Sequence, residues 1–230
     1  MIDLMPGSEA ATTVQLLLAS ASPARLATLR SAGVSPLVRV SGVDEDAVLA
    51  EAQHHFGPLE PAEIALLLAR AKAEAVAAEL RTGGRADAST EPDVVLGCDS
   101  VLELDGQAYG KPESPEVARQ RWALMRGSTG VLHTGHWLVD VRARDCGGSG
   151  ATLGSVGSTL VRFANLTDAE IDAYVDTGEP LRVAGAFTVD GLGGPYVESI
   201  EGDFHNVVGV SLPLLRTLLA DLAVPWHALT

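Results

Sequence analysis

An apolar run of strand length, Val94-Val95-Leu96-Gly97-Cys98, leads into Asp99 and Ser100, and after a polar turn the chain carries Gly110-Lys111-Pro112. A carboxylate delivered at the carboxyl end of a strand, with a lysine soon after it, suits a phosphate ester. The acid can take a proton from water, and the ammonium can neutralise phosphate oxygens. Ligands of open α/β sheets collect outside the carboxyl ends of strands, which makes Asp99 a candidate catalytic group. Taken alone, the segment fits an aspartate capping a turn equally well.

Other residues of suitable chemistry are scattered. Ser22 and Arg25 stand where Ser20-Ala21-Ser22-Pro23 opens a helix, Asp44 and Glu45 belong to an acidic triplet with Asp46, and Lys72 lies near the middle of a long helical stretch. Helix-start N–H groups and Arg25 can hold an anion, Lys72 and Lys111 can neutralise further phosphate charge, and Asp99 with Glu45 would position metal or water. Each has a plainer alternative: Ser22 as an N-cap, Arg25 and Lys72 as solvent-facing cations, the acidic triplet as a solvated loop. Familiar phosphate devices are absent, for the chain has no Gly-x-x-x-x-Gly-Lys-Ser/Thr loop, no Gly-x-Gly-x-x-Gly after a strand and no Gly-x-Ser-x-Gly elbow. Cys98 has no nameable His or Asn partner and reads as a small buried residue. His133 and His136, three apart on a strand, face opposite sides and do not share a metal.

The elements that must position these residues follow from periodicity. Val14 to Ala19 reads as a buried strand, and Ser22 as N-cap with Pro23 behind it starts a helix that ends before Gly33. Val38 to Val43 reads as a second strand. Ile64, Leu67, Leu68, Ala71, Ala75 and Val76 recur at helical spacing from Pro61 to Leu80. Thr82 to Asp93 is a polar surface connection. A helix starts at Ser114-Pro115-Glu116 and runs through Trp122 and Met125. Val131 to Arg142 and Ser158 to Phe163 read as strands around a Gly/Ser-rich hairpin tip, Cys146 to Gly157. Thr167-Asp168-Ala169-Glu170 is a capping box, Asn206 to Gly209 a final strand or loop, and Leu212 to Leu222 an amphipathic helix. Alternating strands and helices predict an α/β fold with a mostly parallel or mixed sheet.

Composition narrows the partners. With 230 residues, 47% of them hydrophobic and 4% aromatic, the chain supports one substantial aliphatic core. A formal net charge of -14 argues against a nucleic-acid binder, which needs clustered Lys and Arg. A small anionic substrate would require a local basic pocket and would benefit from a divalent cation. Two distant cysteines, Cys98 and Cys146, indicate neither a disulfide framework nor a zinc site. Residues 1–13 have no secretory pattern, and Leu16-Leu17-Leu18 is too short to span a bilayer. The expectation is a cytoplasmic protein without membrane association, with an N-terminal extension over 1–13 and a single domain over 14–230.

Taken in order, several segments resemble the Maf family of nucleoside triphosphate pyrophosphatases. They are Leu18-Ala19-Ser20-Ala21-Ser22-Pro23-Ala24-Arg25, Val43-Asp44-Glu45, Leu68-Ala69-Arg70-Ala71-Lys72-Ala73, Gly97-Cys98-Asp99-Ser100 and Gly110-Lys111-Pro112. His133-Thr134-Gly135, Gly178-Glu179-Pro180, Ala184-Gly185-Ala186 and Gly202-Asp203-Phe204-His205-Asn206-Val207-Val208-Gly209 follow. The resemblance implies hydrolysis of a nucleoside triphosphate to the monophosphate and pyrophosphate, assisted by a divalent cation, Mg²⁺ or Mn²⁺. It also implies a mixed sheet flanked by helices in two lobes around a central cleft, as in inosine-triphosphatase-like enzymes, and a homodimer. Carried over by position, the general base is Asp99, with Ser22, Arg25, Glu45, Lys72 and Lys111 in its substrate and metal pocket. A nucleotide-binding regulator of cell division with vestigial catalysis is the alternative that the same family implies.

Departures bear on the base. The family's pyrimidine-preferring branch places Arg, Thr and Gln where this chain has Ala24, Ser100 and Asp190, and the branch linked to methylated guanosine triphosphate places Trp, Gln and Glu there. The chain matches neither set. The run from Ala186 to Gly194 looks more like actinobacterial members. An acceptor-only carboxylate at Asp190 suits the paired N–H donors of a guanine edge.

Overall fold

The computed structural model describes residues 13–82 and 91–229. The expected N-terminal extension, apart from Thr13, and most of the Thr82 to Asp93 connection lie outside the described residues.

β1 (Leu16–Leu18) leads to α1 (Pro23–Ser31), which starts as its sequence dictates: the Ser22 hydroxyl accepts the Arg25 amide at 3.4 Å, and Pro23 fills the first turn. β2 is only Leu37–Val38, shorter than the expected strand. The acidic triplet behind it begins a helix, α2 (Glu45–Phe56), rather than a loop. Asp44 is its N-cap, accepting the Ala47 amide at 3.0 Å, while Glu45 and Asp46 complement the positive end of the dipole. α3 (Pro61–Thr82) follows the apolar periodicity.

β3 runs from Val94 to Leu104, so Asp99 lies in mid-strand rather than at its end. β4 (Gln107–Tyr109) turns back on it, and α4 (Pro115–Met125) is capped by Ser114. β5 (Thr129–Asp140) and β6 (Thr152–Phe163) form a long antiparallel ribbon; β6 takes up half of the stretch expected as a hairpin tip. The Thr167 capping box starts α5 (Asp168–Asp176). β7 (Val197–Glu201), unforeseen in the sequence, α6 (Phe204–Val208) and α7 (Leu212–Asp221) complete the chain. Asn206 thus sits in a short helix, not in a strand or loop.

The fold is mixed α/β. The sheet order is β2-β1-β3-β5-β6-β7, with β4 also paired to β3; β2, β1 and β3 are parallel and the other pairings antiparallel. Strand alternation sends Leu16, Leu18, Leu96, Cys98 and Leu138 to one face, where Leu29, Leu215 and Leu219 of α1 and α7 cover them. Leu17, Val95 and Val139 face Ala73, Val76 and Ala77 of α3. A separate aromatic core joins Trp122 of α4 to Phe163 and Tyr174 in edge-to-face contacts at 5.7 and 5.5 Å. Among the described residues no helix is long and apolar enough to cross a membrane.

One contact governs how close α3 comes to the sheet. A Cβ on Gly97 would run into the Ala69 carbonyl oxygen, and one on Gly135 into that of Ala65. These bare strand positions meet a ridge of Ala65, Ala69 and Ala73, four residues apart on the helix. Gly97→Ala therefore has to lift the helix. Overpacking of this kind costs about 1–3 kcal/mol. Its thermal midpoint is expected to fall by roughly 2–4 °C per kcal/mol in a domain of this size; an unchanged midpoint would show that the close approach carries no energy.

Candidate active site

The close seating of α3 brings Lys72 over the strand that it crosses. Its Nζ donates to Asp99 Oδ1 at 2.5 Å and lies 2.8 Å from Glu45 Oε1, which arrives from the first turn of α2. The lysine and aspartate side chains are only 11% and 12% exposed, and Glu45 remains 43% exposed. Two carboxylates thus converge on one ammonium. Burial pushes the Asp99 carboxyl above the usual carboxylate range, against the downward pull of the Lys72 and Arg25 charges.

Asp99 borders a cavity, and the sheet is interrupted beside it. β1 pairs with β3 only as far as Leu96, and β4 resumes that edge at Leu102. Between them the edge of β3 faces a side chain instead of a strand. The last ladder bond on that edge runs from the Ala19 amide to the Leu96 carbonyl at 2.8 Å, and the next carbonyl aimed the same way, that of Cys98, accepts Arg25 Nη1 at 2.8 Å. Arg25 also donates from Nε to the Gly209 carbonyl at 2.8 Å, from Nη1 to Ser20 Oγ at 3.1 Å and from Nη2 to Ser100 Oγ at 3.0 Å. It is buried and occupied by protein acceptors, neither solvent-facing nor a freely available anion clamp. Ser100 passes the chain on: Thr134 Oγ1, 3.0 Å away, donates to the Asn206 carbonyl at 2.9 Å, so Ser100 donates to Thr134 and accepts from Arg25.

These groups line a cavity of about 1210 Å³, whose wall includes Ser22, Arg25, Glu45, Lys72, Asp99, Ser100, Lys111 and Asp190. Of the residues singled out from the sequence for phosphate or metal chemistry, all but Asp44, which caps α2, meet there. Lys111 is exposed in the turn between β4 and α4, and Asp190, also exposed, borders a second, smaller pocket beside Ala24 and Phe204 as well. Arg182 adds a cation to the lining that sequence reasoning missed. Sequence reasoning also missed Glu179 in the lining, an acid whose carboxylate accepts the Tyr174 hydroxyl at 2.9 Å, the Thr188 hydroxyl at 2.6 Å and the Leu192 and Gly193 amides at 3.1 Å each, shaping the loop that presents Asp190. Burial alone would raise the Glu179 pKa, but its donors together hold it below the ordinary value. The Gly178-Glu179-Pro180 motif was the available signal for it.

Cys98 is fully buried behind Asp99, and burial pushes its thiol up to about 12, which leaves no thiolate for nucleophilic chemistry. Among the described residues no cluster of three or more His, Cys, Asp or Glu forms a metal cage. The Asp99–Glu45 pair suits Mg²⁺ in its commoner mode, held by one or two carboxylates together with substrate phosphates.

A family model described as Maf-like protein matches residues 15–222, and the chain belongs to that family. Among curated relatives, a nucleoside triphosphate pyrophosphatase of Leifsonia xyli is 50% identical over 216 residues, covering 94% of this chain and 96% of the relative. Proteins of the same name from Salinispora tropica and Streptomyces coelicolor are 54% and 53% identical, covering 92% and 90% of this chain and 85% and 90% of theirs.

Behind the site, His136 joins β5 to α7. Its Nε2 accepts the Ser211 amide at 2.8 Å, so Nδ1 carries the proton and donates to the Thr134 carbonyl at 3.0 Å. Burial first, and then the Arg25 charge, lower its pKa to about 4. The folded value lies below the unfolded value of about 6.5, so His136 contributes stability above that pH and loses it as the pH falls towards the folded value. Unfolding midpoints are expected to drop across this window in the native chain and to change less in His136→Asn, which is weaker at neutral pH. Parallel curves for the two proteins would contradict the assignment.

Proposed function

We propose that this protein is a nucleoside triphosphate pyrophosphatase that converts a (d)NTP to the (d)NMP and pyrophosphate, with Asp99 as general base. Family membership and the names of its relatives support the reaction. The observation that carries the residue roles is the Lys72-bridged Asp99–Glu45 pair in a cavity that Lys111 and Ser22 also line.

Asp99 takes a proton from water as its oxygen attacks the α-phosphorus, the α–β anhydride bond breaks, and pyrophosphate leaves. Lys72 holds Asp99 in place, and its charge, with that of Lys111, stabilises the departing oxygens. The start of α1, where Ser22 alternates between cap and phosphate partner, presents N–H groups to the anion. Asp99 and Glu45 would hold the divalent cation, Mg²⁺ or Mn²⁺, which supplies charge neutralisation on the phosphates. Arg25 keeps Ser100 and the strand edge in register. The cavity is a cleft between two lobes, one built on the β1–α1–α3 end of the sheet and one on the aromatic core. The protein acts as a cytoplasmic homodimer, and Asp190 favours guanine or a modified guanine base.

Incubation with a nucleotide panel, with and without Mg²⁺ or Mn²⁺, is expected to release pyrophosphate and no orthophosphate; tight nucleotide binding without release would overturn the proposal. Asp99→Asn should lower turnover by about 10²–10⁴-fold, the contribution of general base catalysis, in a folded protein. Because burial raises the Asp99 pKa and Asp99 must be ionised to act, the acid limb of kcat/KM should lie above the ordinary aspartate value of about 3.9. Lys72→Met removes a charge that lowers this pKa and should move the limb further up.

Asp190→Asn is expected to reduce the kcat/KM ratio of dGTP over dTTP by about tenfold, the scale of one bidentate base contact. Turnover of dTTP and UTP alone, with a preference indifferent to the substitution, would remove the guanine assignment.

A further inference from the structure

The turn that carries Lys111 is gripped from behind by a buried cation. Arg121 of α4 is only 8% exposed, and its Nη1 donates to the Gly110 carbonyl at 2.5 Å. The same carbonyl accepts the Gly185 amide at 3.0 Å, and the guanidinium lies 5.1 Å from the centroid of the Tyr109 ring. The two residues before Lys111 are therefore both held by one side chain. The next residue on α4, Trp122, donates from Nε1 to the Ala186 carbonyl at 2.8 Å, which ties the Ala184–Ala186 turn to the same helix. Gly110, Lys111 and Ala184 all face the cavity.

Arg121 is a poor stabiliser. Its Nε is buried without a hydrogen-bond partner, and among the described residues burial is offset by no carboxylate, only by the Tyr109 hydroxyl. A buried cation satisfied this incompletely costs more than an apolar side chain of similar volume. What it supplies is geometry, since a planar guanidinium can bond one carbonyl and stack on a ring together, which an ammonium cannot do.

We propose that Arg121 is a positioning residue that fixes the Tyr109–Gly110 backbone so that the Lys111 ammonium meets the pyrophosphate half of the substrate. It acts through Lys111 and does not touch the substrate. The inference rests on the role of Lys111 in the proposed reaction.

The test is a double-mutant cycle of Arg121→Met and Lys111→Ala, read as pyrophosphate release from dGTP with Mg²⁺, with thermal midpoints measured alongside. Arg121→Met is expected to lower kcat/KM by about ten- to hundredfold, the cost of a misplaced group, with little change in midpoint. In the Lys111→Ala background the same substitution should cost less than about twofold, because the two residues act as one unit. Equal losses in both backgrounds, a fully active Arg121→Met or a fully active Lys111→Ala would each overturn the proposal. Should Arg121→Met fail to fold, Arg121→Lys takes its place in the cycle, and the same outcomes support or overturn the proposal. If the wild-type protein releases no pyrophosphate, the proposed reaction fails, and the cycle read as affinity for inorganic tripolyphosphate still judges the coupling of Arg121 to Lys111.

Discussion

Glycine against alanine, at the crossing of α3 over β3 and β5, sets the distance on which the site depends. Without side chains at Gly97 and Gly135, the Ala65-Ala69-Ala73 ridge settles onto backbone, and the helix lies closer than branched side chains would allow. A lysine one residue before Ala73 then ends at Asp99 instead of reaching past the sheet. The ion pair that results is buried, and such pairs add little net stability because desolvation offsets the Coulombic gain. Losing one partner is a different matter, since the other is left charged and dry. The arrangement is therefore insensitive in its contribution to folding and sensitive to any change that separates Lys72 from Asp99.

The opposite side of β3 solves a different problem. A strand edge left open for a ligand has carbonyls with no ladder partner, and a buried unpaired carbonyl is costly. Arg25 fills the gap at Cys98 and simultaneously reaches Gly209, 184 residues away in sequence, so α1, β3 and the end of α6 are locked at one guanidinium. The cavity can remain open at Asp99 and Ser100 because a side chain, rather than another strand, completes the hydrogen bonding. The sheet interruption and the opening of the cavity beside Asp99 are the same structural fact.

Local signals in the sequence were legible where their physics is local. The Ser22 and Ser114 caps, the Thr167–Glu170 box and the periodicity of α3 each depend on a few neighbouring residues, and each lies where the sequence predicts. The misjudged segments have causes that lie elsewhere in the fold. Glycines 154 and 157 resemble loop residues, yet they sit in β6 because a side chain there would strike the Trp137 ring or the Asn206 amide. Three acids in a row suit a loop and the first turn of a helix equally, and only the Asp44 cap decides between them. Asp99 interrupts an apolar run and so looks like a strand terminus; β3 continues because Val101, Leu102 and Leu104 find burial beyond it. The candidate site was legible as a set of residue types in order. The occupation of Arg25 by protein carbonyls was not, because periodicity cannot tell a polar residue facing solvent from one facing a cavity or a broken sheet edge.

Charge balance connects the resting site to the ligand that it would accept. Lys72 and Arg25 match the charges of Asp99 and Glu45, so the excess of acid lies in the rest of the cavity wall, where Asp46, Glu113, Glu179 and Asp190 outnumber Lys111 and Arg182, and in a chain whose net charge is -14. A nucleoside triphosphate approaching without a cation would meet repulsion from both. Lys111 and Arg182 on the cavity wall provide local attraction, but the carboxylates at Asp99 and Glu45 remain acceptor-only groups with nothing to offer a phosphate oxygen. Asp99 and Glu45 would hold a divalent cation, which would supply the charge neutralisation that these acceptor-only groups lack. In the resting protein the Lys72 ammonium holds the two carboxylates together.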